Sequence, residues 1–74
     1  MFSSFEGIKI YLYPHDHNPP HFHVYYGEYE AIIEIRTIEV LAGNLPKRQL
    51  KKVIKWAKIV QEQLLSEFIR LQER

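Results

Sequence analysis

The sequence lacks three features that would each define a class of protein. It has no cysteine, which excludes disulfide bonds and is compatible with a reducing cytoplasm. No apolar run approaches the roughly 20 residues that a membrane-spanning helix needs, so we expect no membrane partner. The opening residues MFSSFE have neither a basic start nor an apolar segment, so we expect no signal peptide. Without repeats or linkers, residues 1–74 are expected to form a single cytoplasmic domain.

The net charge of +1 conceals a division of charge along the chain. Residues 1–45 carry two basic and six acidic residues, a charge of −4, and residues 46–74 carry eight basic and three acidic residues, a charge of +5. Such a split either holds a fold together or marks a partner surface. A domain this small buries only about 60% of its unfolded surface. A metal ion or a partner subunit is therefore an expected source of additional stability.

Aromatic and β-branched residues dominate the chain before residue 46 and predict short strands. In HFHVYY, alternation places Phe22, Val24 and Tyr26 on one face of a strand. Gly27-Glu28 is typical of a tight turn, so the runs on either side of it predict a hairpin. The predicted strands span residues 7–13, 21–27, 29–37 and 38–41.

From Pro46 onward the apolar residues follow a helical period and predict a helix over residues 46–71. Proline is favoured at the first helical position. The fold class is therefore α+β, with a small antiparallel sheet of three to four strands packed against one long C-terminal helix. Such a helix is about 38 Å long, against about 20 Å for a strand, and is expected to extend beyond the sheet. Leu65 and Ile69 lie off the apolar stripe and are candidate contacts with a small partner protein or a second copy of the chain.

All four histidines lie in the segment HDHNPPHFHV, residues 15–24. In an extended chain residues two apart point to the same side, and a turn at Asn18-Pro19-Pro20 would bring the two pairs together. Neutral imidazole is the commonest protein ligand for zinc, nickel and copper. The segment therefore indicates a site for zinc or another divalent transition metal. The candidate ligands are His17, His21, His23 and, less favoured, His15, with Asp16 as a carboxylate that orients a ring.

Two other interpretations of the same segment stay open. The imidazoles can hydrogen-bond the backbone of a proline-rich loop and pack on the tyrosines, which is a purely structural role. Alternatively, two of the candidates His17, His21 and His23 can act as general base and general acid on a ribose 2′-hydroxyl and its leaving oxygen. This acid–base interpretation predicts RNA cleavage or a related phosphoryl transfer.

One side of the predicted helix is basic. No acidic residue appears in this region before Glu62, and basic residues in the first turns oppose the helix dipole. Such a face is suited to contact phosphates of a nucleic acid. The alternative is a solvated face neutralised by the acidic sheet or by an acidic partner. The candidate nucleic-acid-binding residues are Lys47, Arg48, Lys51, Lys52, Lys55 and Lys58.

The segments DHNPPHFHV, GEYEA and LAGNLPKR, with the downstream Trp56, resemble the bacterial domain of unknown function 4160 family. The resemblance covers nearly the whole chain. Family members tend to be short, and their genes often lie beside another small uncharacterised domain, in an arrangement similar to toxin–antitoxin pairs. The resemblance therefore implies a partner protein but no established activity.

The family pattern favours some candidates over others. It includes the other three histidines but not His15, and a three-histidine site with an open position suits catalytic zinc. Members often carry a helix histidine one turn after the tryptophan, where this chain has Val60, which disfavours a mechanism that needs that histidine. The pattern covers Asp16, His17, Pro19, Pro20, His21, His23, Tyr26, Glu30, Gly43, Leu45, Pro46 and Trp56.

We therefore expect a small interaction module, one partner of a toxin–antitoxin-like pair, with the histidine-rich loop as its functional surface. Enzymatic activity is not established by the sequence. The alternatives are a histidine-based, metal-dependent or metal-free ribonuclease toxin and a nucleic-acid-binding regulator that acts through the basic helix face.

Overall fold

The first half of the chain forms a sheet and the second half forms helices, in keeping with the change of sequence pattern at Pro46. A computed structural model describes residues 1–73. The fold class is α+β. In chain order the elements are β1 (Ser3–Phe5), β2 (Ile8–Tyr11), β3 (His21–Tyr26), β4 (Tyr29–Glu34), β5 (Val40–Gly43), α1 (Lys47–Ile59) and α2 (Gln61–Gln72).

The strands form one antiparallel sheet in the order β1-β2-β3-β4-β5, so each strand pairs with its neighbour in the sequence. The predicted β3–β4 hairpin is present, with Tyr26 opposite Tyr29 across a turn at Gly27. At the far end of β5, Gly43 has a φ of 75°, and a Cβ atom there would lie 2.1 Å from the backbone oxygen of Glu30. Only glycine therefore fits at position 43 without a shift of the β4 backbone.

Both helices contribute to a core on one face of the sheet. Alternate residues of β2, β3 and β4 meet the apolar stripe of the helices, and Trp56 closes one side against Phe2, Phe5 and Phe22. Full burial of a large apolar side chain stabilises the fold by roughly 1.5–3 kcal/mol. The innermost side chains are Ile8, Ile10, Phe22, Val24, Ile33, Ile35, Val53 and Leu64.

The opposite face of the sheet carries the polar and aromatic residues of the same strands. In the strand register, Tyr11 lies opposite His23, and His23 lies opposite Ile32. Directly opposed residues share a face. His21 and His23 of β3 therefore lie on the face opposite α1, together with Tyr11 of β2 and Tyr25 of β3, whereas Tyr26 lies on the core face.

The sheet has five strands, so the prediction of three to four strands is wrong. The unpredicted strand is β1, which has only three residues and two serines. The predicted strand 29–37 ends at Glu34 because the chain turns there: Ile38 has a φ of 58°, and the Ile38 N–H donates to the Glu34 carbonyl at 2.9 Å. For the same reason the last strand lies at Val40–Gly43 rather than at 38–41.

The single helix predicted over residues 46–71 is in fact two helices that meet at Val60, whose φ of −108° and ψ of 20° interrupt the helical geometry. The side chain of Gln61 donates hydrogen bonds to the backbone oxygens of Ile35 and Arg36, at 2.8 and 3.0 Å. A straight helix of about 38 Å would exceed the longest extent of the fold, 34 Å. The break instead keeps α2 on the end of the sheet. Within residues 1–73, neither helix is long and apolar enough to cross a membrane.

Candidate metal centre

The loop between β2 and β3, residues 12–20, brings an aspartate back against the first residues of β3. The end of this loop is fixed to the sheet because the Ile35 N–H donates to the Pro20 carbonyl at 2.9 Å, and Pro20 is buried. The Asn18–Pro19 peptide bond is cis. The loop thus returns Asp16 to a position beside His21 and His23.

Asp16 is the centre of the cluster, and its two carboxylate oxygens have different partners. Oδ1 accepts the backbone N–H of His17 at 3.3 Å. Oδ2 lies 2.8 Å from His21 Nε2 and 3.2 Å from His23 Nε2. Burial alone would raise the pKa of this carboxyl group, but the hydrogen bond with His23 and the electrostatic attraction of His21 and His23 hold it below the usual 3.8. Asp16 is therefore a carboxylate and acts as an acceptor or ligand.

The protonation of the His21 ring follows from its two neighbours. Its Nδ1 lies 2.8 Å from the backbone oxygen of Pro19, which can only accept, so Nδ1 carries a proton. In a neutral imidazole the other nitrogen, Nε2, then bears a lone pair. This Nε2 atom lies 2.8 Å from Oδ2 of the Asp16 carboxylate. Two acceptors at this distance require a positive charge between or on them, either a proton that makes an imidazolium or a metal ion.

The ring of His23 completes the cluster from the open face of the sheet. Its Nε2 faces Asp16, while its Nδ1 is buried and has no hydrogen-bond partner among residues 1–73. The Tyr13 ring packs edge-on against it, with centroids 4.7 Å apart. His23 is thus held by packing on one side and by the carboxylate on the other.

Aromatic residues enclose the cluster. Phe68 of α2 packs against the His21 ring at 5.7 Å between centroids, and His21 is only 5% exposed. The hydroxyls of Tyr13 and Tyr25 share a hydrogen bond of 2.9 Å, and this bond, burial and nearby Glu30 raise the pKa of Tyr25. Tyr25 therefore remains a neutral phenol and offers no phenolate to a metal. The ionisable groups that converge are the carboxylate and the two imidazoles.

The structure brings together Asp16, His21 and His23, whose ligand atoms all lie within 4.8 Å of one another. The sequence predicts His17, His21, His23 and, less favoured, His15 as ligands, with Asp16 only orienting a ring. The side chain of His17 is 89% exposed, and its Nδ1 lies 3.7 Å from Asp16 Oδ1. His15 is exposed, with a φ of 61°, away from these three ligand atoms.

The remaining candidate residues lie on the helices. Lys47, Arg48, Lys51, Lys55 and Lys58 are exposed on α1, and Lys52 forms an ion pair with Glu6. Leu65 is half-buried and packs against the core, whereas Ile69 is 44% exposed. Tyr13 and Phe68 also contact the cluster. Packing of the imidazoles on tyrosines is one of the interpretations above, but the sequence does not indicate which tyrosine takes part, or that Phe68 does. Tyr13 lies after the end of β2. Phe68 belongs to the apolar stripe of the helix, all of which is predicted to be buried in the core.

Fold and site together define a class: a small α+β domain with a one-sided antiparallel sheet and a half-buried Asp-His-His cluster at one end of it. The family model described as "Domain of unknown function (DUF4160)" matches residues 7–68, and the chain belongs to this family. The matched region contains every residue of the cluster and ends at Phe68, which packs on it. No curated protein and no solved structure matches the chain.

Proposed function

We propose that this chain binds a divalent transition-metal ion, zinc in the first instance, through Asp16, His21 and His23. The metal-bound cluster would form the functional surface of a small interaction module. One observation supports this proposal above all. The Nε2 atoms of His21 and His23 lie 2.8 and 3.2 Å from the same carboxylate oxygen, Oδ2 of Asp16, so that two imidazole nitrogens and one carboxylate oxygen converge on one point.

The donor set matches the chemistry of zinc. Two imidazole nitrogens and one carboxylate oxygen are ligands that zinc accepts, at about 2.0–2.2 Å each. Ligands at those distances around a tetrahedral ion are separated by about 3.3 Å. The separations of 2.8 and 3.2 Å between Asp16 Oδ2 and the two Nε2 atoms need only small side-chain movements to reach that value. The hydrogen bond from His21 Nδ1 to Pro19 is the type of support that fixes the ring of a metal-binding histidine.

The two histidines are not equivalent as ligands. Coordination through His23 Nε2 places that ring's proton on Nδ1, which is buried without an acceptor in the described chain. An unsatisfied buried donor costs roughly 1–3 kcal/mol, which offsets part of the energy of the His23–metal bond. We therefore expect His23→Ala to weaken zinc binding less than His21→Ala does.

A zinc-titration experiment with untagged protein tests the proposal. By isothermal titration calorimetry, wild type is expected to bind one zinc ion, and Asp16→Asn, His21→Ala and His23→Ala are each expected to weaken binding by tenfold or more. His15→Ala removes an exposed imidazole from the same loop and is the matched control, with unchanged binding. Circular dichroism checks that each variant is folded. Binding that survives Asp16→Asn but is lost in His15→Ala would contradict the proposal.

The partner and its role belong to the same proposal. Resemblance to the family implies a small partner protein, and the surface beside the cluster offers half-buried Tyr11, Tyr25 and Ile32 on the open sheet face. We propose that the partner binds this face and that the metal orders the loop that borders it. Binding of the partner is then expected to weaken on removal of the metal with EDTA and to recover with zinc.

A metal-dependent ribonuclease is the second candidate, and the ligand count favours it. Three protein ligands leave at least one zinc position for water, the arrangement of catalytic rather than structural zinc. RNA cleavage that requires zinc, stops with EDTA and is absent in Asp16→Asn would support it. Zinc binding without cleavage by purified protein would leave the interaction module as the function.

A further inference from the structure

We propose that the exposed basic face of α1 binds the phosphate backbone of nucleic acid without reading its sequence. This basic face consists of Lys47, Arg48, Lys51 and Lys55, with Lys52 beside them. It is separate from the Asp-His-His cluster, and the proposal does not depend on metal binding.

The cations form a regular array on the helix surface. Lys47, Lys51 and Lys55 are four residues apart, which places them in one row with a rise of about 6 Å between neighbours. Arg48 and Lys52 form a second row beside the first at the same spacing. A shallow groove runs along these two rows and is lined only by the five basic side chains.

Within residues 1–73, few acidic side chains pair with the cations of the basic face. Only Lys52 has an acidic partner, Glu6, and the first turn of α1 has no acidic residue. Lys47 and Arg48 lie at the positive end of the helix dipole, where cations are unfavourable. Four of the five charges therefore have no acidic partner in the described chain that would let them stabilise the fold. An anion bound from solution would neutralise them.

The acidic residues of the sheet do not neutralise this face. Glu30 and Glu34 share the open face of the sheet with Tyr25 and His21, because they lie opposite them in the register. α1 packs on the other face, and its basic side chains point away from the sheet into solvent. The molecule thus has an acidic, aromatic side and a basic side. The aromatic side is the poorer surface for nucleic acid, since its glutamates repel phosphates.

Composition favours nucleic acid over a protein as the occupant. Protein interfaces have an apolar centre and are depleted in lysine. Interfaces with nucleic acid are more polar and much more positively charged. The basic face contains four lysines and an arginine and no apolar residue between its rows. It also lacks the aromatic side chains that stack on single-stranded bases, so contact with the backbone of a duplex fits it better.

The basic face lies on the helix side of the sheet, and its first residues lie near the end of β3 that is farther from the metal cluster. Gln49 of α1 donates a hydrogen bond to the hydroxyl of Tyr26, the last residue of β3, whereas the cluster begins at His21, the first. Six strand residues span roughly 20 Å. Substitutions on the basic face are therefore expected to leave zinc binding unchanged.

Fluorescence anisotropy with a labelled DNA duplex of about 20 base pairs and arbitrary sequence tests the proposal. The logarithm of the binding constant is expected to fall with the logarithm of salt concentration with a slope of roughly −3.6, from four free cations at about −0.9 each. Lys51→Gln and Lys55→Gln should each reduce the size of that slope by about 0.9. Two duplexes of unrelated sequence should bind equally.

Lys9→Gln is the matched control, because it removes the same charge from the exposed side of β2. It should leave the slope unchanged, whereas Glu6→Gln frees Lys52 as a fifth cation and should increase the size of the slope by about 0.9. Equal effects of Lys9→Gln and Lys51→Gln would overturn the proposal, since binding would then follow net charge. Tighter, salt-dependent binding to a polyglutamate peptide than to the duplex would assign the face to an acidic protein instead. Self-association at low salt, detected by sedimentation and lost in Lys51→Gln, would assign it to the acidic side of a second copy.

Discussion

Oδ2 of Asp16 lies 2.8 Å from Nε2 of His21, an atom that carries no proton in the neutral ring because Nδ1 already donates to the Pro19 carbonyl. This close approach of the two atoms is stable only if a positive charge lies between them or on one of them. A proton can supply this charge in the metal-free protein, and the proposed metal ion would supply it in the metal-bound form. Asp16 is therefore central to the cluster, although the histidines are the more conspicuous residues in the sequence.

Zinc is expected to stabilise the wild-type fold and not the Asp16→Asn variant. A ligand at about 100 times its Kd stabilises the native state by about 2.7 kcal/mol. For a chain of this size, each kcal/mol raises Tm by about 4–8 °C, so zinc should raise Tm by roughly 10–20 °C. Differential scanning calorimetry with and without zinc measures this shift. A similar increase in Asp16→Asn would show that zinc acts elsewhere.

His17 and His21, two histidines of the same sequence motif, are expected to differ in their contribution to stability without metal. His21 is buried against Phe68, so His21→Ala leaves a cavity and should cost roughly 2–4 kcal/mol in EDTA. His17 is almost fully exposed, and His17→Ala should change the free energy of unfolding by less than about 0.5 kcal/mol. Urea denaturation of both variants measures the difference. Equal costs would be inconsistent with the packing of α2 on His21.

Two of the three glycines with positive φ, Gly27 and Gly43, give a test of the β4–β5 pairing. Gly27→Ala meets open space and should cost about 1–2 kcal/mol from its backbone conformation alone. Gly43→Ala adds a collision with the backbone oxygen of Glu30 at 2.1 Å, so its cost should be clearly larger. Urea denaturation of the pair isolates the collision. A Gly43→Ala variant as stable as Gly27→Ala would argue against the close approach of β5 to β4.

Gln61, the first residue of α2, connects the break between the helices to the turn after β4. Gln61→Ala removes two hydrogen bonds, to the backbone oxygens of Ile35 and Arg36, and should lower the free energy of unfolding by roughly 1–2 kcal/mol. Gln63→Ala is the matched control, because Gln63 is an exposed glutamine two residues further along α2. Hydrogen exchange should also increase at the start of α2 in Gln61→Ala. An unchanged variant would mean that packing of Leu64 alone positions the break.

Regular patterns in the sequence predict the main elements of the fold. Alternation in HFHVYY and a glycine turn predict the β3–β4 hairpin, and a stripe that includes Val53, Ala57 and Leu64 predicts the helical face that is buried. The β1 strand is missed because three residues are too few to show a period. The helix break at Val60 is missed because the apolar stripe continues through it, and the interruption depends on contacts of Gln61 with a distant turn.

The sequence predicts where the candidate site lies but not which residues form it. Spacing alone places His21 and His23 on one side of a strand, and the structure has them there. The path of a loop with three prolines is not fixed by local pattern, so the sequence could not place Asp16 between the two rings or direct His17 into solvent. Tyr13 and Phe68 join the site only through tertiary packing.

We propose above all that Asp16, His21 and His23 bind one metal ion. The most direct measurement is an anomalous difference map, recorded at the zinc absorption edge, from crystals of the untagged protein grown with zinc. We predict a single strong peak about 2.0–2.2 Å from Nε2 of His21, Nε2 of His23 and a carboxylate oxygen of Asp16. A map with no peak at this position, or with zinc bound only by exposed His15 or His17, would contradict the claim and leave a proton as the positive charge between Asp16 and His21.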